Sequence, residues 1–161
     1  MGDEAFAAYV AARWPTLVRS LVILGCERHE AEDVVQTTLT RCYTVWDRVS
    51  RADDADAYIY RSVLNTWSKS RRRRWWGERP VEVLPDVGVA DPTDQAMIRH
   101  DIERVLGHLS KDHRLVLVLR FVADLSEHEV AEVLGVPPGT VKSRTARALA
   151  QLERADLREQ L

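Results

Sequence analysis

A basic and polar helix face near the C-terminus is the part of the sequence whose chemistry is most specific. Lys142, Arg144 and Arg147 follow a proline-glycine turn, with no acidic residue between them. At 100° per residue, Ser143, Arg144, Arg147 and Gln151 share one helix face, with Lys142 at its edge. Arginine suits bidentate contact to guanine, and small hydroxyl groups suit close contact to a DNA backbone. The spacing predicts a helix that reads duplex DNA.

The residues before this helix predict the element that positions it. Ser126 and Glu129 match a capping box, in which a serine is followed three residues later by a glutamate. A short apolar helix then leads into the turn formed by residues 135–139. A capped helix, a tight turn and a second, basic helix together indicate a helix-turn-helix.

A second basic surface lies in the first half of the chain. Residues 61–79 contain seven bases and one acid. Arg61, Asn65, Lys69 and Arg72 recur at spacings of four, four and three, so they line one helix face. Such a stripe can follow one phosphate backbone.

Aromatic side chains adjoin this stripe at Tyr58, Trp75 and Trp76. Bases interleaved with aromatic rings are typical of surfaces that hold single-stranded nucleic acid by stacking. Packing of the two tryptophans against the following segment is an equally good interpretation.

Catalytic and metal-binding arrangements are not indicated. Cys26 and His29 form a lone pair without a second pair at zinc spacing. The other histidines have no serine, cysteine or paired carboxylate placed as a catalytic partner, and no glycine-rich phosphate loop occurs. We therefore expect no catalytic residue, no metal and no cofactor.

Composition bounds the class of protein. The chain has 161 residues, of which 30% are charged and 45% hydrophobic, and it has only two cysteines. The longest uncharged stretches are too short for a membrane span, and the N-terminus lacks the basic segment of a secretory signal. We expect a protein of the reducing cytoplasm that does not insert into a membrane.

Apolar periodicity predicts an all-α fold of two small helical domains. A segment with three prolines, residues 80–92, separates two helical regions. The predicted domains are residues 1–78 and 94–161, joined by a linker at 79–93. The predicted helices cover residues 3–13, 15–24, 30–49, 57–73 and 140–152, with a further helical stripe at 98–109. Ser110 is expected to cap a helix that contains the apolar run 115–119, and Ser126 to cap a short helix that contains residues 130–134.

Three stretches of sequence resemble one known family. Residues 31–36 read AEDVVQ, residues 58–65 read YIYRSVLN and residues 136–144 read VPPGTVKSR. Together with the arginines at 71–74 and the apolar run at 115–121, they resemble the extracytoplasmic-function (ECF) type of sigma factor, in the sigma-70 family of bacterial RNA polymerase.

The resemblance implies a non-enzymatic initiation factor that binds core RNA polymerase, recognises two promoter elements and helps to open the strands. The clamp of the largest polymerase subunit would bind Glu32, Asp33 and Gln36. The −10 element would contact Arg61, Asn65, Lys69, Arg72, Arg73 and Trp75. The −35 element would contact Thr140, Lys142, Ser143, Arg144, Arg147 and Gln151. An anti-sigma factor is a further partner of this kind of protein.

Three other functions remain open at this point. A helix-turn-helix repressor or activator that binds a palindromic site as a dimer has the same recognition helix, but it gives the acidic segment 27–36 no role. A protein-binding adaptor would use the basic surfaces to bind an acidic partner. An enzyme of nucleic-acid processing lacks a catalytic constellation.

Overall fold

The computed structural model describes residues 2–52, 54–75, 101–102 and 104–160. The predicted linker, residues 79–93, lies outside them. The described residues contain helices and no strand, which confirms the all-α prediction. The helices are α1 (Gly2–Ile23), α2 (Arg28–Tyr43), α3 (Trp46–Arg51), α4 (Ala55–Trp75), α5 (Lys111–Leu117), α6 (Glu127–Leu134) and α7 (Pro138–Glu159). A π-helical turn at Val118–Val122 continues α5, and residues 101–102 and 104–106 are also helical.

Helix α1 is continuous, whereas the sequence predicts two helices separated at Pro15. A proline inside a helix removes one backbone hydrogen bond and costs about 3 kcal/mol. On one side of it, Tyr9 and Trp14 pack partly against the core, and on the other Leu17 and Leu21 are buried. Burial of one leucine contributes about 1.5–3 kcal/mol, so the contacts on both sides outweigh the cost of Pro15.

The apolar spacing predicts one helix over residues 30–49, and this prediction is wrong. The chain breaks between α2 and α3, where the Thr44 hydroxyl donates a hydrogen bond to the Arg41 carbonyl oxygen at 2.7 Å. The break turns Trp46 under α1, so that its ring lies 5.3 Å from the Tyr9 ring. Because Trp46 becomes buried, the tertiary contact stabilises the break.

Polar contacts fasten α1 to the start of α4. Asp56 accepts a hydrogen bond from the Tyr9 hydroxyl at 2.7 Å and an ion-paired hydrogen bond from the Arg13 guanidinium at 2.6 Å. Burial and the neighbouring Asp56 carboxylate raise the pKa of Tyr9, so its hydroxyl remains a donor. This network fixes the orientation of the start of α4 relative to α1.

The predicted start and burial of α5 are confirmed. Ser110 caps the helix by accepting a hydrogen bond from the His113 backbone N–H at 3.2 Å. The apolar run at residues 115–119 predicts burial; residues 116–119 are buried, and Leu115 is half-buried. In the π-helical turn that follows, the Arg120 guanidinium donates to the Leu125 carbonyl oxygen and so ties the turn to the loop before α6.

The N-terminal half, α1 to α4, and the C-terminal half, α5 to α7, share one hydrophobic core. Helix α4 packs on α6, and α1 packs on the π-helical turn. A single buried cluster therefore includes Leu17 and Ile59 of the N-terminal half together with Leu119 and Val130 of the C-terminal half. The two halves thus form one closed unit in this structure.

Candidate nucleic-acid interface

Helix α7 presents the predicted basic face to solvent. Lys142, Ser143 and Arg147 are exposed, while Val141 and Ala148 on the opposite side are completely buried. Helix α6 packs against α7 and so fixes its position. This is the two-sided arrangement that a recognition helix needs, because one face must fix the helix while the other enters a groove.

The capping box that supports this helix pair is present as predicted. The Ser126 hydroxyl accepts a hydrogen bond from the Glu129 backbone N–H at 3.1 Å, and the Glu129 carboxylate accepts one from the Ser126 backbone N–H at the same distance. Gly135 then ends α6 with a φ of 66°, a conformation that strains residues with a side chain. Pro138 begins α7, where its missing N–H costs nothing.

Three predicted members of the α7 face differ from the others, two in their exposure and one in a contact with α5. Thr140 and Arg144 are half-buried. Gln151 is exposed, but its amide oxygen lies 3.0 Å from Nδ1 of His113 on α5. The amide of Gln151 is therefore oriented by a contact inside the protein, and Lys142, Ser143 and Arg147 form the open part of the face.

Helix α4 presents the second basic surface. Five predicted residues are exposed along it, namely Arg61, Asn65, Lys69, Arg72 and Arg73. Ala57, Tyr60 and Val63 on the opposite side are buried against the core. The Trp75 side chain lies outside the described part of the chain, as does Trp76.

The aromatic residues near this surface differ in their roles. The Tyr58 ring is 38% exposed, so it remains available for stacking. The Arg71 guanidinium lies 5.2 Å from the centre of the half-buried Trp67 ring, a cation–π distance. Arg71 is therefore held against the helix, whereas the neighbouring Arg72 and Arg73 point into solvent.

The acidic residues predicted to bind polymerase lie on α2. Asp33 and Gln36 are exposed, while Val34 and Val35 are buried in the core. Glu32 is half-buried and forms an ion pair with Arg28 at 3.4 Å. The three predicted side chains thus lie on or beside the solvent-facing side of α2, whose opposite side is packed in the core.

One group of donor atoms in the described residues is close enough to share a metal ion. It consists of Asp54 before α4 and of His128 and Glu132 on α6, whose ligand atoms lie within 4.8 Å of one another. The sequence offers no signal for this group, because Asp54 is distant from the other two along the chain. No helix within the described ranges is long and apolar enough to cross a membrane.

Two family descriptions match the chain. Residues 9–77 match the family described as sigma-70 region 2, and residues 99–152 match the family described as sigma-70, region 4. The first range contains α2 and α4, and the second contains the helix-turn-helix.

Relatives of known name cover most of the chain. An RNA polymerase sigma-E factor of Streptomyces avermitilis is 40% identical over 91% of this chain and 82% of its own length. The ECF RNA polymerase sigma factor SigW of Bacillus subtilis is 31% identical over 83% of this chain and 76% of its own length.

Two solved structures share the fold. CnrH, solved in complex with the cytosolic domain of CnrY, superposes with a TM-score of 0.70, 25% identity and coverage of 95% of this chain and 88% of that one. The sigma factor RpoE of Bartonella quintana, solved with the anti-sigma factor NepR, gives a TM-score of 0.70 over 94% of this chain and 96% of that one at 23% identity. With both sigma-70 regions matched and a 40% identical sigma factor covering nine-tenths of its length, this chain belongs to the sigma-70 family as a transcription initiation factor of the ECF type.

Proposed function

We propose that this sigma factor divides promoter recognition between its two basic helices. Helix α7 reads the −35 element as duplex through Thr140, Lys142, Ser143, Arg144, Arg147 and Gln151. Helix α4 holds the −10 element through Arg61, Asn65, Lys69, Arg72, Arg73 and Trp75. The outward side of α2, with Glu32, Asp33 and Gln36, binds the clamp of the largest polymerase subunit.

The observation that carries this proposal is the exposure of both basic faces on helices whose opposite sides are buried. Lys142 and Arg147 on α7 and Arg61 and Lys69 on α4 are open to solvent. A rigid helix with an unobstructed cationic face can bind phosphates at a defined place and release their counterions. The exposed Tyr58 ring supports capture of an unpaired base at the α4 surface.

Polymerase allows the contacts of α4 and α7 with their promoter elements to act together, although each contact alone is weak. Once α2 is bound to the clamp, binding of one promoter element raises the effective concentration of the other helix at its own element. Capture of extruded bases by α4 offsets an unpairing cost of a few kcal/mol per base and so favours an open bubble. The protein would do this in the cytoplasm, where polymerase acts, and an anti-sigma factor would restrain it.

Run-off transcription with purified core polymerase tests the role of α7. Arg144→Ala should weaken binding to the matched promoter by about 1–3 kcal/mol. The loss of binding free energy should be smaller on a promoter with a scrambled −35 element. Arg158→Ala, which removes an exposed arginine from the far end of the same helix, is the matched control. Equal losses for Arg144→Ala on matched and scrambled promoters would contradict base reading by Arg144.

The role of α2 needs a separate assay. Asp33→Lys should reduce affinity for core polymerase at least several-fold, because it reverses one exposed charge on the proposed docking side. Binding is measured by fluorescence anisotropy of the labelled chain, without DNA. The exposed Asp47 of α3 supplies the control Asp47→Lys, which should leave this affinity unchanged.

A further inference from the structure

We propose that Asp54, His128 and Glu132 form a binding site for a divalent transition-metal ion, with Zn²⁺ as the preferred ligand. We call this group of side chains the metal triad. Its donor atoms come from the turn before α4 and from one side of α6. None of the three residues belongs to the proposed promoter or polymerase contacts, so the site is separate from them.

The spacing of the donor atoms suits a single ion. The three ligand atoms all lie within 4.8 Å of one another. Zinc bonds of about 2.0–2.2 Å place neighbouring ligands of a tetrahedron about 3.3–3.6 Å apart. His128 Nε2 and Glu132 Oε1 are already 3.3 Å apart. The Asp54 carboxylate therefore needs to move by roughly 1 Å to bind the same ion as the other two.

The donor set determines which class of ion fits. An imidazole nitrogen with two carboxylates suits zinc and the other late first-row metals, whereas Mg²⁺ and Ca²⁺ prefer oxygen ligands alone. Three protein ligands leave a fourth position for water, which is the pattern of an open zinc site. The imidazole of His128 distinguishes the metal triad from a patch of surface acids, because neutral imidazole is a common ligand for these ions.

Helix α6 holds two of the three donors in place. His128 and Glu132 are one helical turn apart, so their side chains leave the same face of α6. The capping box of Ser126 and Glu129 fixes the first turn of this helix. The Glu129 carboxylate already accepts the Ser126 backbone N–H, so it does not compete with the metal triad for the ion.

The charge of the metal triad also favours a bound cation. Desolvation and a hydrogen bond with Asp54 raise the pKa of Glu132, because two carboxyl groups meet there. Among the residues that the structure describes, no lysine or arginine forms an ion pair with either carboxyl group. The contact of His128 with Glu132 is an ion pair only when the ring is protonated, and it does not involve Asp54. A divalent cation between the two carboxylates removes their repulsion.

Calorimetric titration of Zn²⁺ into the untagged full chain tests the site. One Zn²⁺ should bind per chain, and an excess of Mg²⁺ or Ca²⁺ should not displace it. Glu132→Gln and His128→Gln should each weaken Zn²⁺ binding by about tenfold or more, since loss of an outer-shell partner alone has an effect of about 10–100-fold. A wild-type chain that binds no Zn²⁺, or that binds Mg²⁺ equally well, overturns the proposal.

Asp54→Asn tests the donor that comes from outside α6. Asparagine caps a helix start as well as aspartate does, so this change removes the charge and leaves the start of α4 intact. An ion held by all three residues links the turn before α4 to α6, so the thermal midpoint of the wild-type chain should rise with Zn²⁺ concentration. Asp54→Asn should lose most of that rise. If it retains both the affinity and the rise, the ion is bound by α6 alone and the metal triad is wrong.

The pair of Cys26 and His29 supplies a control for zinc bound elsewhere in the chain. His29→Gln removes another exposed histidine and should leave Zn²⁺ affinity unchanged. Co²⁺ in place of Zn²⁺ should give the weak visible absorption of nitrogen and oxygen ligands, without the intense near-ultraviolet band of a thiolate ligand. A thiolate band, or lost binding in His29→Gln, would place the ion at Cys26 and overturn the proposal.

Glu153→Gln controls for the loss of one surface charge. Glu153 is exposed on α7, away from the metal triad in sequence, and its replacement should leave Zn²⁺ binding unchanged. A loss as large as that of Glu132→Gln would mean that net charge, and not coordination, attracts the ion. These measurements contain neither DNA nor polymerase, so their outcome is independent of the proposed promoter contacts.

Discussion

At the scale of single residues, the exposed cations of α4 act as point charges on a fixed stripe. Lys69 is exposed in the C-terminal part of α4, on the same side as Arg61 and Arg72. A lysine that contacts one phosphate contributes affinity through counterion release and carries no base information.

Lys69→Ala should therefore weaken promoter binding similarly on different sequences and lower the salt dependence of log K by about one. The slope is measured by titrating preformed holoenzyme onto promoter DNA at several salt concentrations. Lys111, which is exposed on α5, provides the control Lys111→Ala. An unchanged slope for Lys69→Ala would remove Lys69 from the −10 surface.

The Tyr9–Asp56 hydrogen bond is a second feature at this scale. It joins α1 to α4 across 47 positions of sequence and is part-buried. Tyr9→Phe should lower the free energy of unfolding by about 1 kcal/mol, the net contribution of one hydrogen bond. Urea denaturation followed by tryptophan fluorescence measures the change, and an unaltered midpoint would contradict it.

At the scale of elements, the capping box of α6 determines how firmly the recognition helix is supported. Ser126→Ala removes the hydroxyl that accepts the Glu129 backbone N–H, so it should cost about 1 kcal/mol of stability. Ser126→Thr retains a hydroxyl and should restore most of it. Thermal denaturation gives both values, and a loss as large in Ser126→Thr would show that the cap is not the cause.

At the scale of the whole molecule, the shared core couples the stability of the two halves. All five tryptophans lie between residues 14 and 76, so their fluorescence reports on the N-terminal half. Leu119 belongs to the C-terminal half and is 1% exposed within the common cluster.

Leu119→Ala should destabilise the C-terminal half by about 2–5 kcal/mol through a buried cavity. Because closure also stabilises the N-terminal half, the tryptophan transition in urea should shift in the same direction by a smaller amount. Leu157→Ala, at a side chain that is 62% exposed, is the control. A tryptophan transition that does not move would mean that the halves unfold independently.

The prediction of chemistry from sequence depended on local spacing. The faces of α4 and α7 follow from the helical period, because residues three or four apart share one side whatever surrounds the helix. The caps at Ser110 and Ser126 follow from side chains that bond to backbone groups three residues away. The all-α fold and the helix-turn-helix were therefore determined by the sequence alone.

Long-range contacts decided the rest. The continuity of α1 through Pro15, the break after α2 and the burial of Ile59 depend on residues far away in the chain. The proximity of Asp54 and Glu132 exists only because α6 packs on α4. Such contacts follow from the balance of apolar burial against chain entropy in the folded molecule, and no local pattern of residues encodes that balance.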